Sequence, residues 1–222
     1  MIKSNETALS VLNEVRSMVD TSDEPLKEAL RLAASGNIID YGARRGVTRD
    51  EILESVKHAL EGDVDEQFYR EFLKTAETAT SILYVGDNSG EIVFDRVLVE
   101  HLPLEKVRFA VRGKPIINDA TRVDAATAGI DKLVTVIDTG DNTPGINMER
   151  SSTEFLEAFA DADMIIFKGQ GNLETMYNED LSGYVKPGAR LFFILKVKCT
   201  YVSQSLGRDI GDTVFMVRDG NG

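Results

Sequence analysis

The feature that most constrains the fold is an alternation that sets in after about residue 80. Short apolar runs at Ile82–Val85, Val107–Val111, Leu133–Ile137, Met164–Phe167, Leu191–Leu195 and Val214–Val217 are separated by amphipathic stretches around residues 91–101, 120–128, 152–160, 173–180 and 200–206. Such runs have no polar face to leave in water, so both faces need cover. That is the condition of a mostly parallel sheet with helices packed on either side, and the predicted fold class is α/β. The first third is different. Val11, Leu12, Val15, Met18 and Val19 fall at three- and four-residue spacing, and Leu26, Leu30 and Ala33 begin a second helix. Thr48-Arg49-Asp50-Glu51 has the pattern of a capping box ahead of Ile52, Leu53, Val56 and Leu60, and Phe68, Phe72 and Ala76 mark one more helix. No strand candidate precedes residue 80. The expected organisation is a helical N-terminal subdomain over residues 1–79 and an α/β domain over 80–222, the one in which any site is sought below, with Asp219-Gly220-Asn221-Gly222 as a frayed tail.

Composition limits the partners. Lys and Arg number 25 against 37 Asp and Glu, a net charge of −12, with no basic stripe. A surface of that sign repels nucleic acid and anionic lipid, so neither is expected as a partner. No run of eighteen apolar residues is present to span a membrane, and Met1-Ile2-Lys3-Ser4-Asn5-Glu6 has no apolar signal region. Cys199 is the single cysteine. It forms no internal disulfide, which fits the reducing cytoplasm expected as the location.

In open α/β sheets, ligands bind beyond the carboxyl ends of the strands. Four such ends carry polar segments, three of them with glycine: Gly86-Asp87-Asn88-Ser89-Gly90-Glu91, Ile116-Ile117-Asn118-Asp119-Ala120-Thr121, Asp138-Thr139-Gly140-Asp141-Asn142-Thr143-Pro144-Gly145 and Lys168-Gly169-Gln170-Gly171-Asn172. Asp87 and Asn88 offer hard oxygen donors of the kind that suit Mg²⁺, Mn²⁺, Co²⁺ or Ni²⁺. The helix that follows would aim its first amides at the same spot, which favours a phosphate. An Asp-Asn helix cap between glycine turns explains the same residues equally well. Asp119 is a third ligand or a cap, with capping favoured for the isolated segment, and Glu91 and Asp124 are placed as supports. Lys168 sets a positive charge beside backbone amides, an arrangement that neutralises phosphoryl oxygens, or else is a surface Lys on a flexible turn. Asn118, Lys168, Gly169, Gly171 and Asn172 are the expected phosphate contacts. P-loop and dinucleotide fingerprints are both missing. His58 and His101 fall in helical stretches and read as surface residues, and Cys199 reads as a buried, inert thiol.

In their order and combination, the Gly86–Glu91, Ile117–Thr121 and Lys168–Asn172 segments resemble the damage-control metal-dependent phosphatases, a family also called acidic-residue-methyltransferase-like. Ala34-Ser35-Gly36-Asn37-Ile38-Ile39-Asp40-Tyr41-Gly42, Lys198-Cys199 and Leu206-Gly207 resemble its stand-alone prokaryotic branch. The resemblance runs from about residue 5 to 218. It implies a three-layer α/β/α sandwich with a helical N-terminal part, a divalent metal held by Asp87, Asn88 and Asp119, phosphate contact by Lys168, and small phosphometabolite substrates. It also implies an additional helical segment with a Cys-x-x-Cys pair, which these 222 residues do not contain. The expected activity is metal-dependent hydrolysis of a phosphate ester, with Asp87 and Lys168 as catalytic residues. Two alternatives accompany it. One is S-adenosylmethionine-dependent carboxyl methylation, against which stands the absence of a glycine-rich methyl-donor loop after the first strand. The other is non-catalytic binding of a metal or phosphometabolite.

Overall fold

The computed structural model describes residues 2–35 and 48–220. The Gly36–Gly42 part of the prokaryotic-branch segment and the last two residues of the chain lie outside them. Among the described residues, five helices come first: α1 (Ile2–Leu9), α2 (Leu12–Asp20), α3 (Pro25–Ala34), α4 (Arg49–Leu60) and α5 (Glu66–Thr78). The alternating part follows as β1 (Ile82–Val85), α6 (Glu91–Glu100), β2 (Val107–Val111), α7 (Arg122–Ala128), β3 (Thr135–Asp138), α8 (Thr153–Asp161), β4 (Met164–Lys168), α9 (Gln170–Met176), β5 (Arg190–Lys196), α10 (Thr200–Leu206) and β6 (Thr213–Asp219). No helix among the described residues is long and apolar enough to cross a membrane.

The six strands form one sheet in the order β3-β2-β1-β4-β5-β6. Strands β1 to β5 are parallel, and β6 closes the far edge antiparallel to β5. All four residues of β1 and all five of β4 are buried, as strands covered on both faces must be. Ile82, Tyr84, Phe109, Ile166, Phe192 and Ile194 face a layer built from α1 to α7. Leu83, Val85, Ala110, Ile165, Phe167 and Phe193 face a layer built from α8, α9 and α10. The architecture is the expected three-layer α/β/α sandwich.

Helix α5 ends at Thr78 and β1 begins at Ile82. The core does not divide there. Phe68 and Phe72 of α5 meet Phe192 of β5 edge to face, with ring centroids 5.6 and 5.2 Å apart. Val15, Leu30 and Ile52 of the first four helices belong to the same buried cluster as Tyr84 and Phe109 of the sheet.

Three local readings are corrected. The helix expected at 173–180 begins at Gln170, because the positive-φ backbone of Gly169 (φ 79°) ends β4 and starts the helix in a single step. Asp219 is the last residue of β6 rather than part of a frayed tail, and the Gly220 amide donates to Ala189 O at 2.9 Å. A helix at Ile2–Leu9 also precedes the first one recognised from spacing.

Candidate active site

Strand β1 lies between β2 and β4, and successive connections leave it in opposite directions. A crevice therefore opens beyond its carboxyl end, where the loops after β1, β2 and β4 meet. Backbone bonds lock the first two loops together. Ser89 N donates to Asn118 O at 2.8 Å, Ala120 N donates to Asp87 O at 2.8 Å, and Asn88 and Asp119 form an isolated antiparallel bridge. Asp87, Asn88 and Asp119 are thereby gathered, each only 6–7% exposed. Asn118, with its carbonyl bonded across the two loops, is half-buried, between exposed Ile117 and buried Asp119. From the β4 side comes Gly169, and a methyl group on its α-carbon would overlap the Asp87 carboxylate. Glycine here serves close approach as well as positive φ.

Neighbouring side chains fix the orientation of these donors. Asn88 Nδ2 donates to Asp87 Oδ2 at 2.7 Å and to Glu91 Oε2 at 3.1 Å, which leaves the amide oxygen as the outward acceptor. Arg112 follows β2 and is 2% exposed. Its Nε donates to Asp119 Oδ2 at 2.7 Å and its Nη2 to Asn172 Oδ1 at 2.8 Å. Asn172 Nδ2 in turn donates to Lys168 O at 2.6 Å and Gly86 O at 3.3 Å. The Asp87 carboxyl is pushed up to about 7, first by burial and then by the charges of Glu91 and Asp119, against a smaller downward pull from Lys198 and Arg112.

Lys168 is placed differently from the sequence expectation. It is 0% exposed, and Nζ lies 2.6 Å from Ala33 O, 2.8 Å from Glu91 Oε1 and 2.9 Å from Asp95 Oδ1. Two of these oxygens, Ala33 O and Glu91 Oε1, accept hydrogen bonds and the third forms an ion pair, and the fully buried ammonium is turned away from any phosphate in the crevice. Burial of Lys168 would lower its pKa, but the two carboxylates outweigh it and hold the amine charged. Glu91 is shifted the other way: burial raises it, and Lys168 and Lys198 bring it below its ordinary value. Asp95, buried beside Tyr84, is raised to about 6, chiefly by burial. Other expected phosphate contacts are likewise engaged. The Gly169 amide donates to Ile194 O at 3.0 Å, both ends of the Asn172 amide are used, and Gly171 packs near Gly145. The Gly90 amide at the start of α6 donates to Asn5 Oδ1 at 2.6 Å, so it is not open to an anion. Asp124 Oδ2 closes a capping box on Thr121 N (3.0 Å) and Thr121 Oγ1 (2.8 Å).

Two participants, Arg112 and Asn5, are given no role in the sequence reading, and a third, Lys198, enters it only within the Lys198-Cys199 segment. Arg112 and Asn5 have no motif to betray them. Lys198, on the turn after β5, is exposed, and its charge bears on both Asp87 and Glu91. Its position after a strand end is the available signal. Cys199 is half-buried rather than fully so; its sulfur accepts from Gln170 Nε2 at 3.1 Å. His58 is exposed as expected, whereas His101 is largely covered and faces Asp20. A separate cleft of about 650 Å³, lined by Arg70, Lys74, Asp163 and Arg190, lies at the strands' amino ends and contains none of these residues.

The fold and these loops define a class: an α/β protein with an oxygen-donor crevice at its topological switch point. Residues 2–214 match the model of the damage-control phosphatase ARMT1-like domain. The chain is 39% identical over 225 residues to an uncharacterized protein of Methanocaldococcus jannaschii, covering 97% of this chain and 71% of that one. It is 36% identical over 218 residues to a protein of Pyrococcus horikoshii named damage-control phosphatase, covering 97% of this chain and 72% of the relative. The crystal structure of a DUF89 family protein from Pyrococcus horikoshii superposes with a TM-score of 0.80 at 35% identity, over 96% of this chain and 72% of that one. The chain belongs to the damage-control phosphatase ARMT1-like family.

Proposed function

We propose that the protein is a divalent-metal-dependent phosphomonoesterase acting on small phosphorylated metabolites such as sugar phosphates, with the cation held by Asp87, Asn88 and Asp119. The observation that carries the reading is the bridge between Asn88 and Asp119. It joins the ends of two strands and brings two carboxylates and an oriented amide oxygen into one buried crevice. The donor chemistry fits the cation. All three donors are hard oxygens, the Asn88 amide presents its oxygen because its nitrogen is held, and burial, then the charges of Glu91 and Asp119, push Asp87 up to about 7, a charge that a bound cation would offset. Among the described residues there is no cluster of three His, Cys, Asp or Glu side chains suited to a metal; the proposed set consists of two carboxylates and one amide.

When bound, the cation would offset the charge on the phosphoryl group as it passes from the leaving alcohol to water. The chain supplies the rest. Lys198, exposed and electrostatically felt at Asp87, is among the described residues a cation placed to meet phosphate oxygens. The phosphate contact thus falls to Lys198 rather than to Lys168. Lys168 fixes Glu91, Glu91 fixes Asn88, and Arg112 fixes Asp119, so each donor keeps its orientation whether or not substrate is present. The location in keeping with a lone unpaired thiol is a reducing cytoplasm.

The test is phosphate release from a panel of sugar phosphates and p-nitrophenyl phosphate, with Mg²⁺, Mn²⁺, Co²⁺ or Ni²⁺ and with chelator, and with no methyl donor present. Turnover that requires metal and vanishes in Asp87→Ala is expected. Parental rates in chelator, or in Asp87→Ala, would refute the assignment.

A further inference from the structure

We infer that Asn5, on the first helix, is a positioning residue that sets the spacing of the two loops carrying the proposed cation ligands. The inference rests on the metal-site reading above. Asn5 is 0% exposed, and both ends of its amide are used. Its Oδ1 accepts from Gly90 N at 2.6 Å, and its Nδ2 donates to Asp124 Oδ1 at 2.9 Å. Gly90 caps α6 and ends the loop that holds Asp87 and Asn88. Asp124 lies in the first turn of α7 and anchors, through its capping box with Thr121, the loop that holds Asp119.

The chemistry leaves Asn5 few substitutes. A helix N-terminus has amides without intrahelical acceptors, and the Gly90 amide is buried with its acceptor supplied by Asn5. Asp124 has already given one oxygen to Thr121, and the other oxygen needs a donor. Only a side chain with an acceptor and a donor on one short stem answers both. The substitution Asn5→Ala would strand a buried amide and a buried carboxylate. Asn5→Asp would keep the bond to Gly90 but set a second carboxylate against that of Asp124. Combining Asn5→Asp with Asp124→Asn would restore the link with its polarity reversed. The amide introduced on α7 would accept from Thr121 through its oxygen and donate through its nitrogen to the carboxylate introduced on α1.

The experiment uses the full chain with Asn5→Ala, Asn5→Asp and the double variant Asn5→Asp/Asp124→Asn. Mn²⁺ affinity is measured by calorimetry, and hydrogen exchange is followed at the Gly90 amide. Each single substitution is expected to weaken Mn²⁺ binding about tenfold, the lower end of what supporting residues contribute to metal sites, and Asn5→Ala is expected in addition to speed exchange at Gly90. The double variant is expected to regain affinity to within about threefold of the parent, which a general loss of packing would not allow. Parental Mn²⁺ affinity in Asn5→Ala, or a folded double variant no better than Asn5→Asp, overturns the inference. If the parent itself takes up no divalent cation, the metal reading fails first; unchanged exchange at Gly90 in Asn5→Ala would then overturn the tie as well, and faster exchange would support it.

Discussion

A carboxylate held near 7 is a strained group, and the sign of its effect can be worked out. Asp87 binds its proton more tightly in the folded chain, at about 7, than an ordinary carboxyl near 3.8 does. Between those values the folded state holds more protons than the unfolded one, so the metal-free chain loses stability as pH rises through that window. Asp87→Asn removes the charge. It is expected to raise the melting temperature of the metal-free chain at pH 8 by a few degrees while abolishing any stabilisation by Mn²⁺; thermal scans with and without Mn²⁺ check both. A variant melting below the parent at pH 8 would contradict the crowding of charge at Asp87. The two lysines of the site separate by environment. Lys168→Met leaves Glu91 and Asp95 buried without their cation and should cost about 3–5 kcal/mol in urea unfolding. Lys198→Ala should leave stability within about 0.5 kcal/mol, as exposed substitutions do. It should raise KM at least about tenfold, the usual effect of losing a charge-assisted bond. The reverse pattern would return the phosphate contact to Lys168.

At the scale of elements, the site depends on strands being pinned in register. Asp163, just before β4, accepts from Thr80 N at 2.7 Å, Thr80 Oγ1 at 2.6 Å and Ser81 N at 3.2 Å, and pairs with Lys186 at 2.6 Å. Partial burial works to raise its carboxyl, but the bonds from Lys186 and Thr80 outweigh that and hold it at about 2. A depressed carboxyl stabilises the fold above its ordinary pKa and ceases to do so as pH falls through its folded value. Asp163→Asn should therefore be less stable than the parent at pH 7, with the gap narrowing between about pH 4 and 2. A gap that stayed constant over that range would show that the ion pair is not its source. The strands are legible in the sequence because their apolar runs are bounded by polar turns. The third, read from Leu133, begins instead at Thr135, since Leu133 and Val134 follow a short 3-10 turn that only the packed chain reveals. The carboxylate and amide donors are legible because strand ends are where α/β sheets bind ligands. Lys168 is misread for a related reason. Its place at a strand end is in the sequence, but the direction of its side chain depends on Glu91, Asp95 and the carbonyl of Ala33, which belong to other elements.

For the whole molecule, the helical layer and the sheet act as one body. Phe72 is 0% exposed and touches both Phe68 of its own helix and Phe192 of β5. Phe72→Ala is expected to cost about 3–5 kcal/mol and to lower a single unfolding transition, with helical circular dichroism and catalytic activity lost together. Two separated transitions would mean that residues 1–79 fold on their own. The sheet order adds a constraint of timing. Strand β1 emerges first of the six, and Ile82 pairs on one side with Val107 but on the other with Met164. A nascent chain that ends before β4 therefore carries a largely apolar strand with an open row of amides and carbonyls, ready to recruit a stranger. The central position that creates the crevice is also the one in which an unfinished copy of this protein is most exposed to aggregation.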